Sequence, residues 1–215
     1  MSGNALSIIS GIIAFVGYIP FNYAVIKRGY KPPKSSFIIW AVLDTIVLLG
    51  MLQEGEFNFL IAVTVLCVWP SVAVLMKYGS SGWTKVERNQ LIGASIGIFV
   101  WQVSGEGLFA ILIGCGLLIY GGWFAFEDAW KKPETYVGRD KTAARMSWSI
   151  FWLACVPQVI ALGRPSVWTL AGATQPLTFL LIESVMLWLI FVRAPRELNR
   201  RSYLRFRVAP TFDRR

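Results

Sequence analysis

The chain has 215 residues, of which 55% are hydrophobic and only 15% charged, with a mean hydropathy of +0.55. A water-soluble domain does not combine so much apolar side chain with so little charge, so the composition points to an all-α integral membrane protein. The formal net charge of +9 invites a nucleic-acid reading, but the placement of the basic residues accounts for it without nucleic acid.

The first apolar run, 5–26, has no basic residue before it and is followed by Lys27, Arg28, Lys31 and Lys34, the pattern of an uncleaved anchor. Runs 37–53 and 58–76 are separated by Glu54 and Glu56, and the second is followed by Lys77, Lys85 and Arg88. Runs 91–105 and 108–126 flank Glu106 and lead into Lys131, Lys132, Arg139, Lys141 and Arg145. Runs 148–163 and 167–192 are separated by Arg164 and followed by a tail rich in arginine. The expected organisation is one membrane domain over 1–196 with seven transmembrane helices, then a basic tail over 197–215. Runs 91–105 and 148–163 fall short of the ~20 residues that cross a ~30 Å hydrocarbon core, so flanking polar residues must complete those helices.

Every Lys and Arg except Arg164 lies in alternate gaps or in the tail. The positive-inside rule therefore puts the N-terminus outside and the C-terminus in the cytoplasm. In the tail, Arg200, Arg201, Arg205 and Arg207 alternate with Tyr203 and Phe206, which suits a segment lying on anionic lipid headgroups.

Several chemistries are excluded. The chain has no histidine, and Cys67, Cys115 and Cys155 sit in three different apolar runs, so no metal spacing and no cofactor are expected. The seventh run lacks the lysine that a retinal Schiff base needs. No G-x-S-x-G elbow and no phosphate-binding loop occurs, so an enzyme is not expected.

Two carboxyls lie within apolar runs. Asp44 is ten residues beyond Lys34 and Glu183 ten before Arg193, ~15 Å of helix in each case, which puts both near the bilayer midplane. An ionisable group at that depth must face a cavity or a partner, and is a site candidate. Trp40 shares a helix face with Asp44, and Gln175 is near Glu183 in helical angle. Trp69, Gln102, Trp152 and Gln158, together with Thr64 and Trp101, lie at similar depth. Rings with hydrogen-bonding edges suit a pocket for a small polar solute. Trp83, Trp123, Trp130, Trp148 and Trp168 read as interfacial residues. Pro20, Pro70, Pro157 and Pro176 fall inside runs, where each removes a backbone hydrogen bond and can serve as a hinge for gating. Gly93 and Gly97, spaced as G-x-x-x-G, and Gly114, Gly116, Gly121 and Gly122 signal close helix packing.

The second and sixth runs open alike, with Ser36-Phe37-Ile38-Ile39-Trp40 and Ser147-Trp148-Ser149-Ile150-Phe151-Trp152, each after a basic, proline-containing segment. Laying Cys67-Val68-Trp69 over Met186-Leu187-Trp188 sets Thr64 opposite Glu183. Such pairs fit a three-plus-one-plus-three parallel repeat. Gly17-Tyr18-Ile19-Pro20, Lys31-Pro32-Pro33-Lys34-Ser35-Ser36 and Trp40 resemble the first helix pair of PQ-loop and SWEET-type proteins. They are still more similar to an uncharacterised bacterial seven-helix family with K-P-x-x-x-S-x-x-I-W at this point. The Pro-Gln pair of the PQ-loop pattern is Pro20-Phe21 here and is missing from the fifth run, while Pro157-Gln158 stands in the sixth.

The resemblance implies a SWEET-like fold in a bacterial cytoplasmic membrane. The resulting expectation is a small-solute transporter or permease, with the proton as a candidate coupling ion. Alternatives are a non-transporting accessory or lipid-binding scaffold subunit and, more remotely, a membrane-embedded enzyme. Expected partners are the bilayer, a small-molecule solute and anionic headgroups, with a homo-oligomer left open. The charge pattern predicts that cysteines placed at Ser2 and Ser202 are labelled from opposite sides of the membrane, Ser202 from the cytoplasm; labelling of both from one side contradicts the seven-span reading.

Overall fold

The computed structural model describes residues 3–32, 34–80, 85–131, 133, 142–163 and 168–198. Trp83, Lys132, Arg139, Lys141, Arg164 and the basic tail from residue 199 lie outside the described residues.

The apolar runs fold as helices with longer polar ends than hydropathy alone marks. They are α1 (Gly3–Lys27), α2 (Lys34–Gln53), α3 (Phe59–Tyr78), α4 (Lys85–Ser104), α5 (Gly107–Lys131), α6 (Thr142–Leu162) and α7 (Leu170–Trp188). The two short runs gain their missing length from Lys85 onward in α4 and from Thr142 onward in α6. α7 continues through a π-helical turn, Leu189–Arg193, to Leu198. Five of the described helices are long and apolar enough to cross a membrane: α1, α2, α3, α6 and the continuous Leu170–Leu198. The apolar part of α5, Gly107–Trp123, is shorter, and α4 is more polar.

Helix ends follow local chemistry. The Asn58 Oδ1 atom accepts from Ile61 N–H at 2.9 Å to cap α3, and Thr169 Oγ1 accepts from Gly172 N–H at 2.9 Å to cap α7. Each satisfies an otherwise unpaired donor of a first turn. Gly55 and Gly105, at φ +73° and +69°, turn the chain sharply after α2 and α4, a left-handed conformation that glycine adopts without penalty.

Six helices pack as a ring in the order α1, α3, α2, α5, α7, α6, closing back on α1. α4 stands outside it against α5 and α2. Glycines set the closest approaches. A methyl group at Gly93 or Gly97 of α4 would stand 2.7 Å from Leu117 or 2.5 Å from Ile113 of α5. On the next side of α5, Gly107 meets Gly50, Gly114 meets Val47, and Gly121 meets Trp40 of α2 and Gln90 of α4. Gly116, by contrast, faces open space, and Gly122 makes only ordinary contacts. Without a hydrophobic drive between helices in lipid, such small-residue faces let backbones approach and dispersion do the work.

Polar ties fix the two ends. At the end carrying the basic connections, Ser35 and Ser36 donate to Glu87 of α4 at 2.6 and 2.5 Å. Ser36, the serine of the K-P-x-x-x-S pattern, therefore ties α2 to α4. There too the Arg193 guanidinium donates to Trp130 O at 2.7 Å and lies over the Trp130 ring. At the opposite, acidic end, Glu54 accepts from Leu108 N–H at 3.0 Å and Glu56 accepts from Thr169 Oγ1 at 2.5 Å. Both carboxylates thereby sit at helix N-termini, where the dipole favours negative charge.

The contrast between two glycines of one helix is a direct test of this packing. Gly114→Leu must displace Val47 and should cost ~1–3 kcal/mol of stability as overpacking, whereas Gly116→Leu should leave the thermal midpoint of the detergent-purified protein unchanged. Equal midpoints for the two variants would contradict the α2–α5 contact.

Candidate functional site

A cavity of about 100 Å³ lies inside the ring, lined by residues of all six ring helices and by none of α4 among the described residues. From α2 come Phe37, Trp40 and Asp44, spaced three and four apart so that they share one face. Trp148, Phe151 and Cys155 of α6 face them with the same spacing, and Ser147 adds a hydroxyl. α3 contributes Leu60, Thr64 and Val68; α7 contributes Phe179, Ile182 and Glu183. Tyr18 and Phe21 of α1 and Leu118 of α5 complete the wall.

Asp44 and Glu183 thus line one space. Asp44 is 4% exposed, and its Oδ1, like Oε2 of Glu183 and Nε1 of Trp40, has no hydrogen-bond partner among the protein groups. Leaving such a group buried and unpaired costs ~1–3 kcal/mol. Three of them around one cavity mark a place shaped for something other than stability. No lysine or arginine lines the space among the described residues, so the acids meet no compensating charge there.

The wall hydroxyls are differently placed. Thr64 donates to Leu60 O at 2.8 Å, Ser147 donates to Gly17 O at 3.0 Å, and Tyr18 donates to Thr64 O at 3.4 Å. Each is engaged by backbone: Tyr18 joins α1 to α3 and Ser147 joins α6 to α1, while the Thr64 bond stays within α3. Rings fill most of the rest: Phe21 stacks on Phe37 at 5.0 Å, Phe37 leans on Trp40 at 5.2 Å, and Tyr18 meets Phe151 edge-on at 4.8 Å.

Of the residues singled out by sequence, Asp44, Glu183, Trp40 and Thr64 are brought together here. The others stand elsewhere. Trp69 is largely exposed and donates to Thr45 Oγ1 at 3.2 Å, and Gln102 is exposed near the end of α4. Trp152 donates to Ser184 Oγ at 2.9 Å, tying α6 to α7. Gln175 is fully buried and accepts from Asn58 at 3.0 Å near the acidic end; Gln158 is buried with its Oε1 unpaired, outside the lining. Pro20, Pro70, Pro157 and Pro176 lie inside α1, α3, α6 and α7, where the carbonyls of Val16, Leu66, Leu153 and Gly172 lose their usual donor.

Trp148, read from sequence as interfacial, is half-buried and lines the cavity; Trp123, Trp130 and Trp168 are exposed as interfacial residues are. Sequence reasoning passed over Tyr18, Phe21, Phe37, Phe151 and Phe179, because apolar rings in apolar runs carry no signal of the face they present. The spacing shared by Phe37, Trp40, Asp44 and by Trp148, Phe151, Cys155 was the available clue.

If the acids are kept for function at the expense of stability, Asp44→Leu and Glu183→Leu should leave the detergent-purified protein as stable as the parent or up to ~1–3 kcal/mol more so, as unpaired acceptors are removed. A marked drop in the thermal midpoint of both would instead make them structural ties. Comparison with protein-family models, with curated proteins and with solved structures gave no match, so the functional reading rests on the chemistry of this site.

Proposed function

We propose that this chain transports a small polar solute across the cytoplasmic membrane, N-terminus outside, through seven spanning helices in a SWEET-like arrangement. α1–α3 and α5–α7 are the two halves, and α4 is the linker. The observation that carries the reading is the single cavity lined by all six ring helices, with one unpaired acid from each half. A scaffold would fill that space with apolar side chains at crystal-like density.

The ring order supports the repeat. Exchanging α1, α2 and α3 for α5, α6 and α7, and the reverse, turns the observed order into itself, as a twofold axis along the membrane normal requires. The lining agrees: Phe37, Trp40 and Asp44 correspond to Trp148, Phe151 and Cys155, while Leu60 and Thr64 correspond to Phe179 and Glu183. The two acids are therefore not copies of one another. Asp44 answers a cysteine and Glu183 a threonine, so each half supplies its acid from a different helix.

Rocking one half against the other would alternate access to this fixed site. Three hydrogen bonds at the acidic end cross between the halves, Thr169 to Glu56 at 2.5 Å, Asn58 to Gln175 at 3.0 Å and Leu108 N–H to Glu54 at 3.0 Å. Opening on that side pulls on all three. At the basic end the closure is apolar, with Phe21, Tyr30 and Leu75 of the first half packed in one cluster with Ala144, Met186 and Ile190 of the second. Opening there exposes apolar surface but breaks fewer directional bonds.

In reconstituted vesicles with an imposed pH gradient and a panel of small polar solutes, the parent should accumulate solute uphill. Asp44→Asn should abolish that accumulation while leaving the protein inserted, since an amide keeps the volume and cannot cycle a proton. Glu183→Gln should give the same defect in milder form. Normal uphill uptake by both amide variants sinks proton coupling, and no movement of any solute by the parent turns the assignment to the accessory or scaffold role.

A further inference from the structure

Resting on the transport reading above, we infer that the solute is a small organic cation, a protonated or quaternary amine, and that it is exchanged for a proton at the Asp44–Glu183 cavity. Seven of the sixteen lining residues are aromatic and two are carboxylic acids, with no lysine or arginine among them. Aromatic faces are the negative side of the ring quadrupole, and together with carboxylates they form a site for a cation. An anion would meet only like charge and negative faces.

The hydrogen-bonding inventory separates a cation from a neutral polyol. A sugar must have most of its hydroxyls met by donors and acceptors, since each unmet one costs desolvation. The wall hydroxyls of Tyr18, Thr64 and Ser147 already donate to backbone carbonyls, so toward a solute they can only accept, as an ammonium or hydroxyl donor allows but a sugar's own oxygens do not. What remains unpaired is two carboxyl oxygens, Asp44 Oδ1 and Glu183 Oε2, and one donor, Trp40 Nε1. That set fits a compact positive group with at most one hydroxyl or carbonyl for the indole to meet. The volume of about 100 Å³ likewise has room for a compact solute of several heavy atoms, since ~10–15 Å³ of such space holds one water.

Charge balance supplies the exchange. Two ionised carboxyls in a largely apolar cavity are too costly to leave uncompensated. Two protons satisfy them, and so do one cation and one proton. When the cation enters, one O–H bond of a carboxyl breaks, its proton leaves to the side the cavity faces, and the carboxylate pairs with the cation. One positive charge goes each way, so no net charge is moved. The other titratable groups facing the acids are the Tyr18 phenol on α1 and the thiols of Cys115 on α5 and Cys155 on α6. None of them can carry positive charge; α7 has no titratable group but Glu183, and Lys34, the other one on α2, lies at its basic end, ten residues from Asp44.

Choline and its neutral isostere 3,3-dimethylbutan-1-ol are the probes. Vesicles holding the parent protein, with an acidic lumen and the membrane potential clamped at zero, should accumulate choline while the lumen turns alkaline in step; the isostere should cause no pH change. Asp44→Asn and Glu183→Gln should lose the coupled exchange. Choline affinity of the detergent-purified parent, read by tryptophan fluorescence, should fall by up to about tenfold per pH unit on acidification, as one proton competes for one site. That measurement needs no variant and decides the matter even if the variants fail to insert. If neutral solutes are carried while choline neither binds nor moves, the substrate class is overturned and transport stands. Choline affinity that ignores pH overturns the exchange, and if no probe binds or moves, both readings fall together.

Discussion

Two carboxyl groups held at mid-depth in an apolar bundle are the constraint around which the rest of this structure is arranged. Neither Asp44 nor Glu183 has a basic neighbour in the cavity it lines, and each leaves an oxygen unpaired. Burying a charge without a partner costs several kcal/mol, so these groups either hold a proton or meet a cation from outside the chain. A ring of six helices with a central space answers that need, whereas a closely filled bundle does not. The unpaired Trp40 indole one turn from Asp44 extends the same logic to a group that can donate.

The ring can stay open at its centre because its seams are tight elsewhere. α5 lies against α2 through Gly107, Gly114 and Gly121, and against α4 through Leu117 and Ile113 on the glycines of that helix. α1 is fastened to α6 by Ser147 on the Gly17 carbonyl and to α3 by Asn22, which donates to Ser71 at 3.0 Å. These contacts lie between rigid pieces. The α2–α5 and α1–α6 seams themselves join the two proposed halves, so rocking would pivot on them while the bonds near the helix termini at the acidic end break.

Much of this architecture was legible in the sequence, and for identifiable reasons. Charge asymmetry between gaps and the length of apolar runs set out the helices, and the short runs had to grow into Lys85 and Thr142 because backbone groups in hydrocarbon must be paired. The place of Asp44 and Glu183 midway along their helices followed from counting residues to the nearest basic end. Which way each helix is turned did not follow. In a helix that is apolar all round, the faces toward lipid and toward the core look alike, so Trp69 and Gln102, at plausible depth, point away from the cavity, while Phe21 and Phe151 line it. Trp148 escaped for a related reason, since an indole near a helix end suits the interface and a cavity wall equally.

The central claim is that the two acids, from different halves, share one space. Cysteines put in place of Asp44 and Glu183, in a background with Cys67, Cys115 and Cys155 replaced by serine, test it most directly. After proteolytic cleavage between α5 and α6, a short bifunctional thiol reagent should hold the two fragments together under non-reducing conditions. A control pair at Ser10 of α1 and Ala154 of α6, where the Ser10 hydroxyl donates to the Ala154 carbonyl across the cut, reports that the bundle is intact. Bridging of both pairs is the expected result; bridging of the control alone would contradict a shared cavity.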